Sequence, residues 1–471
     1  MIGDPLQRRS SRPGHGVVWP ESGEPLLKPD GPRTIALWNG LAIGSGAFLA
    51  AAKDFGRRLP DGAFVLNLCE DRYRFSLALV AALLWGRITL LPPDRSPWTL
   101  RCLKERFRQV VCVADRRQDD LADLDILPVD PSPFQEQGEG EAIAIAPEQT
   151  AAIVFTSGST GQPQAHPKTW GSLIESARLI AEALGSLQGR TLVATVPPQH
   201  MYGLELSVLP ALRCGAVLDA RRPFFPLDVQ EALESVAGPR ILVTTPVHLR
   251  ALTAAGITLP ALDLIVSATA PLPRTLAEEA ERRFRAPLWE IYGCTEAGSI
   301  ASRRTAREES WQVFTGMRLL PAGDGHCVEA AHLPEPIPLN DIVELLPDGR
   351  FRLLGRRADL VNIAGKRTSL GALNHILTSL EGVLDGAFFL PDETPGCTAR
   401  LVAFVVAPGV EMPALLEALR QRLDPVFLPR ALYPVAALPR SESGKLPRQA
   451  LQALAERLGA TRGEPSVRDD R

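Results

Sequence analysis

The chain has 471 residues, more than one hydrophobic core usually holds, so at least two domains are expected. A hydrophobic fraction of 45% and a charged fraction of 22% are those of an ordinary globular protein, and a net charge of −3 gives no electrostatic argument for nucleic acid or an anionic membrane as a partner. The seven cysteines are scattered and without Cys-x-x-Cys spacing, so neither a disulfide framework nor a zinc site is indicated, and a reducing cytoplasm fits.

In chain order, the start is polar and arginine-rich with no apolar targeting core, and the first 30 residues read as a frayed end. Residues 64–68 form a strand-like run, and 75–85 a buried helix too short to cross a bilayer; no membrane insertion is expected. The segment after it, 86–91, reads as the next strand. Further apolar runs at 110–113, 151–155, 192–196, 241–245 and 264–267 alternate with helical patterns such as 171–184 and 276–284. Alternation of this kind signals an α/β fold of layers with largely parallel strands. A smaller α+β unit begins near Ala358, with a strand at 399–406 and a helix at 412–423, and the last dozen residues, from about Gly459, read as a second frayed end.

Chemistry concentrates in four segments. The run Phe155-Thr156-Ser157-Gly158-Ser159-Thr160-Gly161-Gln162-Pro163 follows an apolar strand, and Gly158 and Gly161 permit a tight turn. Hydroxyls and main-chain N–H groups around one concavity bind phosphate oxygens, although no Gly-Lys-Ser/Thr follows to make a Walker loop. The second segment, Ile291-Tyr292-Gly293-Cys294-Thr295-Glu296-Ala297-Gly298, supplies a carboxylate for Mg²⁺ at Glu296. Tyr292 offers a flat face for a purine, and equally suits a plain strand end. The remaining two are Leu354-Gly355-Arg356-Arg357-Ala358-Asp359 with its continuation to Arg367, and Leu438-Pro439-Arg440-Ser441-Glu442-Ser443-Gly444-Lys445-Leu446-Pro447-Arg448. Only six of the 51 basic residues are lysines, so Lys445 is an unusual choice at its position. A compact ammonium, unlike a planar guanidinium, suits a place between a carboxylate and an α-phosphate.

With these four motifs in order, the chain resembles the adenylate-forming superfamily of acyl-CoA synthetases, aryl-CoA ligases, peptide-synthetase adenylation domains and luciferases. The resemblance implies a large N-terminal domain of layered α/β subdomains over residues 1–357 and a smaller, mobile α+β lid domain over 358–471. It implies activation of a carboxylate by ATP with Mg²⁺, followed by transfer to a thiol. Thr156, Ser157, Gly158, Ser159, Thr160 and Gly161 are then the phosphate loop. Ala268, Thr269 and Ala270 pass over adenine, and Tyr292, Gly293, Asp341 and Arg356 hold the rest of the nucleotide. Thr295, Glu296 and Lys445 are catalytic, with Glu296 on the metal; His200, Gly293 and Cys294 lie beside the acyl substrate; Ala358 and Asp359 mark the hinge.

The sequence departs from the family's pattern in places. Gln164 stands where a lysine is usual in the phosphate loop, with His166 and Lys168 close by as substitutes, and Ala358 stands at the usual aspartate pivot, next to Asp359. The region before the phosphate loop is short. His200 leans towards a small aryl acid such as a hydroxybenzoate, and the compact form with Gln164 looks similar to ligases that prime aryl-polyene pigments on an acyl carrier protein. No carrier-arm motif follows Arg448, so a carrier protein's phosphopantetheine thiol acts in trans, or coenzyme A takes its place. A medium- or long-chain fatty acyl ligase, a luciferase-like oxygenase and a non-catalytic nucleotide-binding module remain as alternatives.

Overall fold

The computed structural model describes residues 23–29, 33–116, 125–131, 143–157, 163–323, 325–356, 360–363, 366–391, 400–441, 444 and 446–459. The sequence-expected strands and helices appear as two large sheets with helices packed between and around them. The first sheet has six strands in the order Pro163–Thr169, Thr150–Ser157, Ile88–Leu91, Phe64–Asn67, Val110–Ala114, Ile126–Pro128, all parallel except the first pair. The second has nine, with the run Leu288–Cys294, Leu264–Ser267, Arg240–Thr244, Thr191–Ala194, Val217–Asp219 and Thr34–Trp38 parallel throughout.

The helix Arg72–Leu84 lies between the two sheets, and beyond its first turn it is apolar on nearly every side, as a helix covered all round must be. It starts three residues earlier than expected because Asp71 caps it, accepting from the Arg74 N–H at 2.9 Å. Arg72 at its first turn is buried completely. Its guanidinium donates to Ser207 Oγ and to the carbonyls of Val196 and Arg221 at 2.7–2.8 Å, which fixes the loops at the ends of the second sheet's strands.

Other boundaries also shift. The helix expected at 171–184 runs Trp170–Leu184, with Thr169 as its cap; the strand expected from 399 begins at Val402; the helix expected to reach 423 ends at Arg420. The reading of the first 30 residues as frayed fails for 23–29. Glu24–Pro25 pairs with Ala144–Ile145, and Leu26 is fully buried, so apolar burial anchors this segment. Residues from 460 onward, and most of the first 30, lie outside the described residues.

Beyond the two sheets lie a small sheet of Met317–Ala322, Gly325–Ala330 and Ile337–Pro338 and the hairpin Asp341–Leu345/Phe351–Arg356. The C-terminal part has its own core. The strands Asp385–Phe389, Val402–Val406 and Leu432–Pro434 form a sheet packed by the helices Leu370–Thr378, Met412–Arg420 and Arg448–Arg457.

Candidate active site

The strand Thr150–Ser157 carries Thr156 at its end, next to the segment expected to bind phosphate; Gly158, Ser159, Thr160 and Gly161, and the Ser157 side chain, lie outside the described residues. The chain returns antiparallel as Pro163–Thr169, with Gln164 opposite Thr156. Alternation along that strand puts His166 and Lys168 on one buried face. His166 Nε2 lies 3.0 Å from Thr156 Oγ1 and 3.9 Å from Glu296 Oε1. Lys168 Nζ donates to the main-chain carbonyl of Glu296. The first two motifs thus meet at one place.

Burial lowers the pKa of His166, partly offset by the Glu296 carboxylate, so the imidazole stays neutral near pH 7 and does not replace the charge that Gln164 lacks. Burial likewise lowers the pKa of Lys168, partly offset by the carboxylates of Glu205 and Glu296. The Lys168 ammonium is committed to the turn beneath Glu296.

That turn joins the antiparallel strands Leu288–Cys294 and Gly298–Arg303. Thr295 and Glu296 sit at its tip, half-buried, with the Glu296 side chain 30% exposed. Beneath it, buried Glu205 accepts from the Ser299 N–H at 3.2 Å, Ser299 Oγ at 2.8 Å and Ser176 Oγ. Gly298 has φ +78, and a Cβ there would lie 2.5 Å from Glu205 Oε1, so the turn closes on this carboxylate only with glycine. Among the described residues no three His, Cys, Asp or Glu cluster as a ready metal cage. A lone, reachable Glu296 carboxylate fits Mg²⁺, which takes one or two carboxylates and completes its shell with phosphates and waters. The Cys294 thiol is pushed up to about 12, first by burial and then by Glu296, so it stays protonated.

Tyr292, on the strand Leu288–Cys294 that leads into this turn, is a buried residue. Its ring packs against Trp311 and Phe351 at 5.7 and 5.5 Å, and its hydroxyl donates to Asp341 Oδ2 at 2.8 Å. Asp341 pairs across its hairpin with Arg356, so the two nucleotide-binding candidates are brought together in register; the Arg356 side chain, Ala358 and Asp359 lie outside the described residues.

The loop of Ala268, Thr269 and Ala270 follows the strand Leu264–Ser267. Thr269 has φ +78, a left-handed conformation that costs a β-branched residue about 1–3 kcal/mol and persists only where surroundings enforce it. Glu290 supplies such a constraint: buried, it accepts from the Leu272 N–H at 3.1 Å while holding Arg303 and Thr305. Lys445 lies outside the described residues, but its neighbour Gly444 is placed. A Cβ on Gly444 would lie 3.5–3.7 Å from Val247 Cγ2, Thr269 Oγ1 and Thr245 Oγ1, so the C-terminal turn sits on the small-residue loop.

His200 precedes the short helix Met201–Gly203, half-buried. Tyr202 behind it anchors the segment by directing its hydroxyl at the carbonyls of Thr244 and Val266, 3.0 and 2.9 Å away. Sequence reading missed Glu205 and Glu290. The signal for Glu205 was a carboxylate inside a run, 204–212, whose only other polar residue is Ser207; such a charge needs buried partners to be tolerated.

The AMP-binding enzyme pattern matches residues 72–323, and the AMP-binding enzyme C-terminal domain pattern matches 373–445. A 4-coumarate–CoA ligase of Halorhodospira halophila is 30% identical over 65% of this chain and 78% of its own. A 3,4-dihydroxybenzoate–[aryl-carrier protein] ligase of Bacillus anthracis is 22% identical over 66% of this chain and 76% of its own. An o-succinylbenzoate CoA synthetase from Bacillus subtilis, solved with its acyl-adenylate intermediate, superposes with a TM-score of 0.75 at 19% identity, covering 89% of this chain and 95% of that one. Among the described residues no helix is long and apolar enough to cross a membrane. The chain belongs to the AMP-binding enzyme family and is an adenylate-forming ligase, of a superfamily that works with ATP and Mg²⁺.

Proposed function

We propose that this enzyme activates a small aryl carboxylic acid, such as a hydroxybenzoate, as its acyl-adenylate and passes the acyl group to a thiol. The acceptor is the phosphopantetheine of an acyl carrier protein or coenzyme A. Two observations carry the reading: the convergence of Thr156, His166, Lys168 and Glu296, and the seating of the Gly444 turn against Thr245 and Thr269. The relatives that act on aryl acids, with coenzyme A or an aryl-carrier protein as acceptor, support the substrate class.

A carboxylate oxygen attacks the α-phosphorus of ATP, the bond to the β-phosphate breaks, and pyrophosphate leaves. A thiolate then attacks the acyl carbon and AMP departs. The first step brings two anions together, so preorganised positive charge and hydrogen-bond donors are its main requirement. Thr156, Ser157, Ser159, Thr160 and Thr295 donate hydroxyls to phosphate oxygens, with the N–H groups of Gly158 and Gly161. Glu296 holds Mg²⁺, which offsets phosphate charge when bound. Lys445 places its ammonium between the carboxylate and the α-phosphate. Asp341 takes the ribose hydroxyls, Arg356 the ribose or phosphate, and Tyr292 with Ala268, Thr269, Ala270 and Gly293 frames the adenine. His200 and Cys294 border the acyl group. The division into a core of residues 1–357 and a lid of 358–471, turning at Ala358 and Asp359, belongs to the same proposal.

The test is ATP–pyrophosphate exchange across benzoates, cinnamates and fatty acids, beside Lys445→Ala. Exchange with a hydroxybenzoate that disappears in the variant is expected. Exchange with fatty acids alone overturns the aryl assignment, and none with any acid overturns the enzymatic reading.

A further inference from the structure

The turn before Lys445 is held by three charged side chains drawn from both parts of the molecule. Arg440 grips Asp385 with two hydrogen bonds, Nε to Oδ2 at 2.8 Å and Nη2 to Oδ1 at 2.7 Å, and its Nη1 donates to the Gly444 carbonyl at 3.0 Å. On the other side, Arg250 of the helix Pro246–Ala254 places Nη2 3.9 Å from the same Asp385 Oδ1. The three side chains are only 22, 15 and 18% exposed for Arg250, Asp385 and Arg440. Burial lowers the pKa of Arg250 and the Asp385 charge offsets it. A desolvated guanidinium of the core thus draws its compensating charge from the C-terminal part. The same helix contributes Val247, beside Gly444, and Thr245 precedes it.

The two kinds of contact differ in consequence. Arg440 and Asp385 both belong to the C-terminal part and keep each other however that part moves. Arg250 belongs to the core, so its reach to Asp385 depends on how the C-terminal part is seated. A contact of 3.9 Å, without a direct hydrogen bond, is weak enough to release.

We propose that Arg250 is a positioning residue for acid activation: by holding Asp385 it seats Arg440 and the Gly444 turn on Thr245 and Thr269, and the contact is released when the thiol enters. The inference rests on the function proposed above, in which one site serves two successive nucleophiles. The charge beside the α-phosphate is needed for the first, and a path to the acyl carbon for the second. A residue that stabilises only one of two arrangements alters only the step performed in that arrangement.

The experiment compares full-length wild type, Arg250→Ala and Arg250→Lys in two half-reactions with an acid and acceptor on which the wild type is active. Pyrophosphate exchange in Arg250→Ala is expected to fall about 5- to 20-fold in kcat, with KM for acid and ATP little changed and Arg250→Lys restoring most of it. Single-turnover transfer from preformed acyl-adenylate to the thiol is expected to be unchanged or faster. Equal loss in both half-reactions indicates a merely structural arginine and overturns the proposal, as does no loss in either.

A second measurement needs no substrate. Hydrogen exchange at the amides of Arg440 and Gly444 is expected to quicken in Arg250→Ala while the strand Leu264–Ser267 is unaffected. Unchanged protection at both amides overturns the proposal. If the wild type activates no acid, the proposed function fails and the hydrogen exchange alone decides the Arg250 contact.

Discussion

Lys168 and Glu296, 128 positions apart, are joined by one hydrogen bond from the Lys168 ammonium to the Glu296 main-chain carbonyl. The bond fixes the turn whose carboxylate faces His166 on the strand Pro163–Thr169, and it engages a cation whose pKa burial lowers. Replacing Lys168 by Met keeps much of the volume and removes the donor. A lost hydrogen bond to a charged group is worth about 1.5–3 kcal/mol, so kcat/KM for pyrophosphate exchange should fall about 10- to 100-fold. Lys168→Arg should not restore it, because a planar fork does not fit a buried site built for a compact ammonium.

Tyr292 holds Asp341 through a 2.8 Å hydrogen bond while its ring is packed by Trp311 and Phe351. Tyr292→Phe leaves the packing and removes this hydrogen bond to the carboxylate. KM for ATP should rise about 3- to 10-fold with kcat little changed, the loss of a hydrogen bond worth about 1 kcal/mol. Initial-rate kinetics with varied ATP check it; a fall in kcat at constant KM would contradict the role given to Asp341.

Gly203 has no room for a side chain, since a Cβ there would lie 1.9 Å from the Pro197 carbonyl oxygen. The obstacle is backbone, which does not swing aside, so Gly203→Ala must displace the segment that bears His200. The expected result is a raised KM for the acid and a melting temperature lowered by several degrees, from a strain of about 1–3 kcal/mol. Calorimetry and acid-dependent exchange measure the two effects separately.

His248 is buried, shares a 2.9 Å hydrogen bond with Thr245 Oγ1, and has its pKa pushed down to about 4, first by burial and then by Arg222. Its ordinary value is 6.5, so the unfolded chain takes a proton that the folded chain refuses. The contribution of this group to stability is complete above pH 6.5 and is lost as pH falls towards 4, at most about 3 kcal/mol. His248→Gln should flatten the acid limb of a urea-denaturation stability profile between pH 6.5 and 4. An unchanged slope would show that His248 does not drive it.

The sequence by itself determined the layered α/β class, the strand at Leu264–Ser267 and the four motifs, because apolar alternation and runs of hydroxyls and glycines are properties of short windows of chain. It misjudged edges such as the start at Arg72, where one hydrogen bond from the Arg74 N–H to the Asp71 carboxylate decided the boundary. Only the tertiary structure decided that Lys168 and Glu205 lie beneath Glu296, that Glu290 pins the loop holding Thr269 in its strained conformation, and that Arg250 reaches Asp385. Those meetings depend on strand order and on how the C-terminal part packs against the core. A buried charge must find its partner wherever the fold brings one, and no local pattern records that distance.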